Sequence, residues 1–513
     1  MTFVIEAHGH MELPVLMSAA RVFVGSFIQT EENTCQAPYS KQVSVISTVN
    51  PPISQDTTRN ACRSGTSDCF VTVTTIKRLR IQGDIWQETD TISEHIPLHE
   101  VRRVLKQQLH IILSRETGIE YPWGALTGVR PTQIAREVIG KVANLAQQPA
   151  QIKANAINEL VDYWRLSVPK ARLAVETALA EESILSRIEK DNNHCLLYVG
   201  LPFCPSRCLY CSFITQDARR HGASLDKYVE AVIQEAQGVF TDSFTGRIAA
   251  VYYGGGTPTS LPVPLFRRYL EGILAVAPLG EDVELTMEAG RPDTIDREKL
   301  EISREFGFHK ICINPQTMHD ETLRRIGRGH TVEETVKAFH LARSMGFDDI
   351  NMDLIAGLPG ENATKLLDSL SRVIELGPEN ITLHTLAVKK GSYLDQMLVD
   401  RDVLLPDQAL IDAVERAHAL LREHGYAPYY LYRQQNCRSG LENTGFTRDG
   451  RGSLYNVAMM SDQVPVIGLG SGSSSKAIVE GKAKRLYNPK DLLVYIERVD
   501  EQIVKKRAIF SSQ

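Results

Sequence analysis

Cys204, Cys208 and Cys211 stand together in the run "LLYVGLPFCPSRCLYCSF", with no fourth cysteine beside them. Thiolates grouped this tightly are crosslinks, catalysts or metal ligands. On a helix, positions i, i+4 and i+7 would share one face. Pro205 interrupts the group, however, and "GLPFCP" reads as chain leaving a strand. A tetrahedral zinc takes four ligands, usually from paired C-x-x-C elements, and no second pair follows; a distant His or Cys could still complete it. An iron–sulfur cube suits the residues better. Three irons held by one loop leave the fourth open for a ligand from outside.

Composition decides between crosslink and ligand. The nine cysteines (35, 62, 69, 195, 204, 208, 211, 312 and 437) are odd in number and irregularly spaced in a chain of 513 residues. That usage is typical of a reducing compartment, so a cytoplasmic protein with reduced thiols is expected. The start, "MTFVIEAHGHMELPVLMSAARVFVG", is broken by Glu6, His8, His10, Glu12 and Arg21 and matches neither a signal peptide nor a membrane span. Lys and Arg number 57 against 62 Asp and Glu, spread along the chain. No nucleic-acid partner is expected from that balance.

The elements that must position the cysteines follow from periodicity. Strand-like runs occur at 195–201, 248–255, 283–289, 309–315, 349–357 and 380–388, separated by amphipathic stretches such as "VPLFRRYLEGILAVA" and "VEETVKAFHLARSMGF". This alternation is the pattern of right-handed βαβ units on a parallel sheet. Six strands do not close an eight-stranded barrel, so the fold class is α/β, an open partial (β/α)6 barrel. Three regions are expected: residues 1–190, a small β-containing lobe followed by helices; 191–400, the partial barrel; and 401–513, an aromatic and glycine-rich extension covering the open side.

Chemistry gathers at the strand ends. "VYYGGGTPTSL" puts Gly254, Gly255, Gly256, Thr257 and Pro258 after the second strand, where bare backbone N–H and C=O groups could meet the polar end of a ligand. A branched side chain at Gly256 is therefore expected to block the ligand and leave the iron ligands untouched. The third strand ends in Glu288, the fourth in Gln316 and the fifth in Asp353, and Arg328 follows in "RIGRGHT". Either carboxylate could equally cap a helix.

These features together resemble a known family. Tyr198 with CPSRCLYC, the GGGTPT loop, Glu288, Gln316, "RIGRGH" and "MDLIAGLPG" resemble the radical S-adenosylmethionine (SAM) superfamily, specifically its oxygen-independent coproporphyrinogen III dehydrogenase (HemN-like) group. "GALTGVRPTQI", "YLYRQQN", "LENTGF" and "IGLGSGSSSK" resemble the HemZ branch, which carries an extra N-terminal region. The resemblance implies a 4Fe–4S cluster on Cys204, Cys208 and Cys211, one or two SAM molecules, and an electron donor such as flavodoxin or ferredoxin. The cluster's electron would split SAM, and the resulting deoxyadenosyl radical would take a hydrogen from the substrate. It further implies that Tyr198, Gly255 and Glu288 contact a first SAM. Tyr210, Gly256, Thr257, Gln316, Arg328, Asp353 and Ala387 would contact a second or its neighbourhood.

The sequence departs from the group at two points. Phe213 stands where decarboxylating members carry a further cysteine, and "GRGSLYNVAMM" keeps Asn456 but lacks the His and Trp of the haem-chaperone segment. Two functional classes follow: oxidative decarboxylation of coproporphyrinogen III to protoporphyrinogen IX in haem biosynthesis, or haem binding and trafficking without decarboxylation. A substrate with four carboxylates needs cations, and Arg207, Lys389, Lys390, Arg433, Arg438, Arg448 and Arg451 are the candidates.

Overall fold

The computed structural model describes residues 2–8, 42–50, 70–80, 86–97, 100–128, 130–144, 148–188, 193–211, 216–217, 222–388, 394, 407–434 and 437–510. The chain divides into two compact units, residues 1–175 with 439–441, and residues 176–438 with 442–513.

The first unit carries a four-stranded sheet in the order β1 (Thr2–His8), β2 (Gln42–Asn50), β3 (Phe70–Arg80), β4 (Trp86–Pro97). Helix α1 (Val101–Thr117) buries Val104, Leu105, Leu109, Ile112 and Leu113, the three-and-four spacing of an amphipathic face. Its Gln108 accepts from the Thr75 hydroxyl on β3 at 2.9 Å. Two further helices follow, α2 (Pro131–Ala143) and α3 (Pro149–Trp164), each with a proline in its first turn, where the missing N–H costs nothing.

The second unit is built on six parallel strands: β5 (His194–Leu201), β6 (Arg247–Gly255), β7 (Leu279–Glu288), β8 (Lys310–Cys312), β9 (Asp349–Ala356) and β10 (Asn380–Thr385). Each pairs in parallel with the next, in chain order. One face packs against helices. The helix Val263–Leu274, between β6 and β7, buries Leu265, Phe266, Tyr269, Leu270 and Ile273, and the helix Val332–Ser344 starts at a Thr331–Glu334 capping box.

The sheet stays open among the described residues. Its order places Ala427–Arg433 and Glu442–Thr447 beyond β10, and Val466–Leu469, Ser474–Val479 and Lys482–Tyr487 beyond β5. The C-terminal segment therefore extends both edges of the partial barrel. Helix Leu454–Met460 brings Tyr455 against Tyr198 and Tyr252. The carboxylate of Glu284 on β7 accepts from the Ser453 hydroxyl and the N–H groups of Leu454 and Tyr455, so an anion sits on that helix's first turn. Among the described residues, no helix is long and apolar enough to cross a membrane.

Candidate functional site

The inner face of the barrel is polar by alternation. Side chains on a strand point to opposite faces in turn. The inward set reads Thr286 and Glu288 on β7, Lys310 and Cys312 on β8, Asp349, Asn351 and Asp353 on β9, and Asn380, Thr382 and His384 on β10. They line a cavity of about 360 Å³ whose wall also includes Tyr210, Cys211, Gln316 and Ala387. Tyr252, Tyr429, Tyr430 and Tyr432 supply an aromatic side.

At one end Lys310 is committed to Asp349 at 2.6 Å and to Glu284 at 3.4 Å. Higher up, the Asp353 carboxylate accepts from Asn351 Nδ2 at 2.7 Å and lies 3.5 Å from His384 Nε2. The backbone N–H of Thr385 donates to Asn443 Oδ1, which fixes the orientation of that amide. His384 Nδ1, 3.2 Å from the same oxygen, must then be a donor. Burial opposes the charge on both groups, but their mutual contact wins: Asp353 is held below the usual carboxylate range and His384 above the usual imidazole value.

Glu288 goes the other way. Enclosure and the charge of Asp353 push its carboxyl up to about 8, against the hydrogen bond from the Gly255 N–H at 3.2 Å. Two carboxyl groups facing one cavity thus hold opposite protonation states at neutral pH. The unfolded chain ionises Glu288 above about pH 4.5 while the folded protein keeps the proton to about 8, so stability falls as pH rises through that window and is flat above it. Glu288→Gln removes this slope, which is at most about 1.4 kcal/mol per pH unit for one proton. Melting curves of both proteins from pH 5 to 9 without SAM should diverge in favour of the variant as pH rises.

The cysteine loop sits above this cavity and is not helical: Cys204 ends a two-residue strand, and Cys208–Cys211 form a turn closed by the Cys211 N–H on the Cys208 carbonyl. Cys204 Sγ lies 3.4 Å from Thr257 Oγ1, and Arg328 Nη1 lies 3.9 Å from Cys208 Sγ. Among the described residues, no three His, Cys, Asp or Glu side chains are gathered around a single point.

The expected site residues therefore fall into two groups. Tyr210, Cys211, Glu288, Gln316, Asp353 and Ala387 line the cavity. Gly256, Thr257 and Arg328 pack around the cysteine loop, and the Tyr198 hydroxyl lies beside Gly255. The Tyr198 ring stacks on Tyr252 and Tyr455. Arg328 spends Nη2 on the carbonyls of Gly290 and Asn314.

Three expectations are corrected by this geometry. The N–H groups of the glycine loop are not bare: Gly255 donates to Glu288, Gly256 to Leu201 O and Thr257 to Phe203 O. A Cβ on Gly256 would meet Phe203 O at 2.3 Å, so a branched side chain there displaces the chain entering Cys204 and is not confined to the ligand side of the glycine loop. Strand β8 ends at Cys312, short of Gln316. Gln316 returns to the sheet by a bridge to Leu354, in a left-handed conformation (φ 69°) that is costly for a non-glycine residue, with its buried Oε1 unpaired. Asp353 lies inside β9, three residues before its end at Ala356.

Arg207, Arg433, Arg438, Arg448 and Arg451 do not line the cavity. Arg448 bonds Gly377 O and Arg451 bonds Asp348. Lys389, Lys390 and Phe213 lie outside the described residues. Sequence reasoning missed His384, Tyr252, Cys312, Asn314 and Asn351, although the polar period-two stripe that places most of them is visible in the strands. Asn456 also reaches the cavity, its amide donating to the Tyr429 hydroxyl at 3.1 Å.

Comparison with known proteins places this site. Residues 198–373 match the radical SAM superfamily. The oxygen-independent coproporphyrinogen-III oxidase-like protein HemZ of Bacillus subtilis is 35% identical over 428 residues, covering 82% of this chain and 84% of that protein. The heme chaperone HemW of Escherichia coli is 32% identical over 234 residues, 45% of this chain and 60% of that protein. The oxygen-independent coproporphyrinogen III oxidase of Cereibacter sphaeroides is 29% identical over 231 residues, 45% of this chain and 51% of that protein. The solved structure of the Escherichia coli coproporphyrinogen III oxidase HemN, a radical SAM enzyme, covers 63% of this chain and 73% of its own at a TM-score of 0.50 and 24% identity, a likeness of fold. An open parallel sheet with three cysteines leaving its first strand, matched over most of its length by such a relative, makes this chain a member of the radical SAM superfamily, in the family of the HemZ coproporphyrinogen-III oxidase-like proteins.

Proposed function

We propose that the protein carries out the oxygen-independent oxidative decarboxylation of two propionates of coproporphyrinogen III, as a radical SAM oxidoreductase, giving protoporphyrinogen IX, two CO2, methionine and 5′-deoxyadenosine, with the remaining electron of each step passing to a one-electron acceptor. Cys204, Cys208 and Cys211 each hold one iron of a 4Fe–4S cluster, and the fourth iron is left for SAM. The observation that carries this reading is the polar cavity reaching Cys211, with the carboxyl groups of Glu288 and Asp353 together in its wall.

The residues fit these cofactors. Thr257 and Arg328 stand against Cys204 and Cys208 as donors that thiolates accept. The unpaired Gln316 Oε1 offers an acceptor to a ligand's N–H or O–H. When bound, the cluster and SAM supply one-electron reduction and hydrogen-atom abstraction. The chain's own part is binding, orientation and exclusion of water. Protonated Glu288 donates to a hydroxyl or carboxylate, ionised Asp353 accepts from an N–H, and Tyr252, Tyr429, Tyr430 and Tyr432 pack against pyrrole edges. Residues 191–400 hold the cofactors and 401–513 close the substrate side, with flavodoxin or ferredoxin as the electron donor.

Anaerobic incubation with coproporphyrinogen III, SAM and dithionite tests this directly. The expected products are the tripropionate intermediate and then protoporphyrinogen IX. Stoichiometric haem binding with neither product would instead favour the carrier function of the HemW relatives.

Cys312→Ser and Cys437→Ser should keep the full iron content. Cys437 Sγ is occupied by Thr385 O at 3.6 Å, and Cys312 Sγ lies 3.8 Å from the Tyr252 hydroxyl inside the cavity. Halved iron in either variant would identify a distant fourth ligand.

A further inference from the structure

The cysteine loop has almost no regular structure, so something outside it must fix its path. Ser206, between Cys204 and Cys208, is held from beneath by Arg291: Nη1 donates to the Ser206 carbonyl at 3.1 Å and Nη2 to its hydroxyl at 3.1 Å. The guanidinium is buried, 2% exposed, a position that is costly unless the charge is paired. Asp293 pairs it along the other edge, Oδ1 accepting from Nε at 3.1 Å and Oδ2 from Nη2 at 3.2 Å. The turn Pro292–Thr294 between them is fixed by the N–H and hydroxyl of Thr294 on the Arg291 carbonyl. Four of the five N–H donors of the fork are therefore spent within the protein.

The arrangement is directional. The pair is neutral overall, but the positive member is the one bonded to the cysteine loop, while Asp293 reaches that loop only through it among the contacts the described residues show. Reducing a cluster on that loop adds negative charge beside the positive member, and such charges and hydrogen bonds set cluster potentials.

We propose that Arg291 is a positioning residue for the cluster: it fixes the loop through Ser206 and, oriented by Asp293, raises the cluster's reduction potential. This rests on the cluster reading above. Only Arg has a planar fork that can serve carbonyl, hydroxyl and carboxylate at once; Lys keeps the charge but not the geometry.

The test uses the full chain, reconstituted anaerobically, with Arg291→Gln, Arg291→Lys and Asp293→Asn beside the wild type. Midpoint potential is read by dye-mediated titration of the cluster's electron paramagnetic resonance signal, and iron retention by the rate of loss to a chelator. Arg291→Gln should lower the potential and speed iron loss on the order of tenfold. Asp293→Asn, which removes the opposing charge, should raise the potential. Arg291→Lys should restore most of the potential but not the retention. A general loosening of the fold would not move the two potentials in opposite directions. Potentials and loss rates equal to wild type in Arg291→Gln and Asp293→Asn overturn the inference, as does a shift of the same sign in both. A wild type that takes up no cluster would instead overturn the reading beneath it. Should Arg291→Gln fail to fold, the rise in Asp293→Asn decides alone.

Discussion

Cys208→Ala protein, reconstituted anaerobically with iron and sulfide, is expected to be colourless, to hold iron reduced at least about 100-fold in affinity, and to release no 5′-deoxyadenosine from SAM under dithionite. Cys208 is buried, 8% exposed, beneath the turn it shares with Cys211. Arg328 stays in place without it, held by the Gly290 and Asn314 carbonyls, so the variant loses a ligand and keeps the scaffold. Of the other described thiols, Cys312 faces the cavity beside the Tyr252 hydroxyl. Cys195 lies within a strand against the Arg247 carbonyl, and Cys437 is occupied by Thr385. Iron and sulfide assays with a visible spectrum decide the matter; a variant that keeps about four irons would remove Cys208 from the ligand set.

Gly256→Val should be nearly as damaging, and for a different reason from Glu288→Gln. The Gly256 N–H donates to Leu201 O at 2.6 Å, and a Cβ would stand 2.3 Å from Phe203 O and 2.8 Å from Leu201 O. Those atoms are backbone and lead straight into Cys204, so strain there moves the cluster loop. Overpacking of this kind costs about 1–3 kcal/mol, and iron content should fall with stability. Glu288→Gln changes a cavity wall and meets the glycine loop at the Gly255 N–H. Iron should survive in it while SAM binding weakens. Parallel measurement of iron, melting temperature and SAM affinity separates the two; equal iron in both variants would show that the glycine serves the cofactor and not the loop.

The parallel strands were legible because each is an apolar run bounded by turn residues, and five of the six begin within one residue of the pattern read from sequence. β7 begins earlier, at Leu279, because its first residues pair at the sheet's open end, where burial does not mark them. The polar stripe Asn380, Thr382, His384 was equally visible, but inward direction depends on which face the helices cover, a tertiary fact. Gln316 shows the limit of strand-end reasoning: its backbone conformation is imposed by the bridge to Leu354, and no local preference of glutamine announces it. The glycine loop was located correctly and its role misjudged, because a glycine that admits a ligand and one that admits a neighbouring backbone look the same in sequence. Arg291 gave no signal in "EAGRPD", since its partner Ser206 is distant in the chain and near only in the fold.

A three-cysteine cluster would leave one iron open to SAM, and the electron paramagnetic resonance spectrum of the reduced, reconstituted protein reports on that iron. With about four irons and four sulfides bound, the signal should change in shape when SAM is added, and it should not change in Cys208→Ala because no cluster remains. A wild-type cluster whose spectrum is indifferent to saturating SAM, or anaerobically purified protein holding stoichiometric zinc and taking up no cluster, would contradict the account.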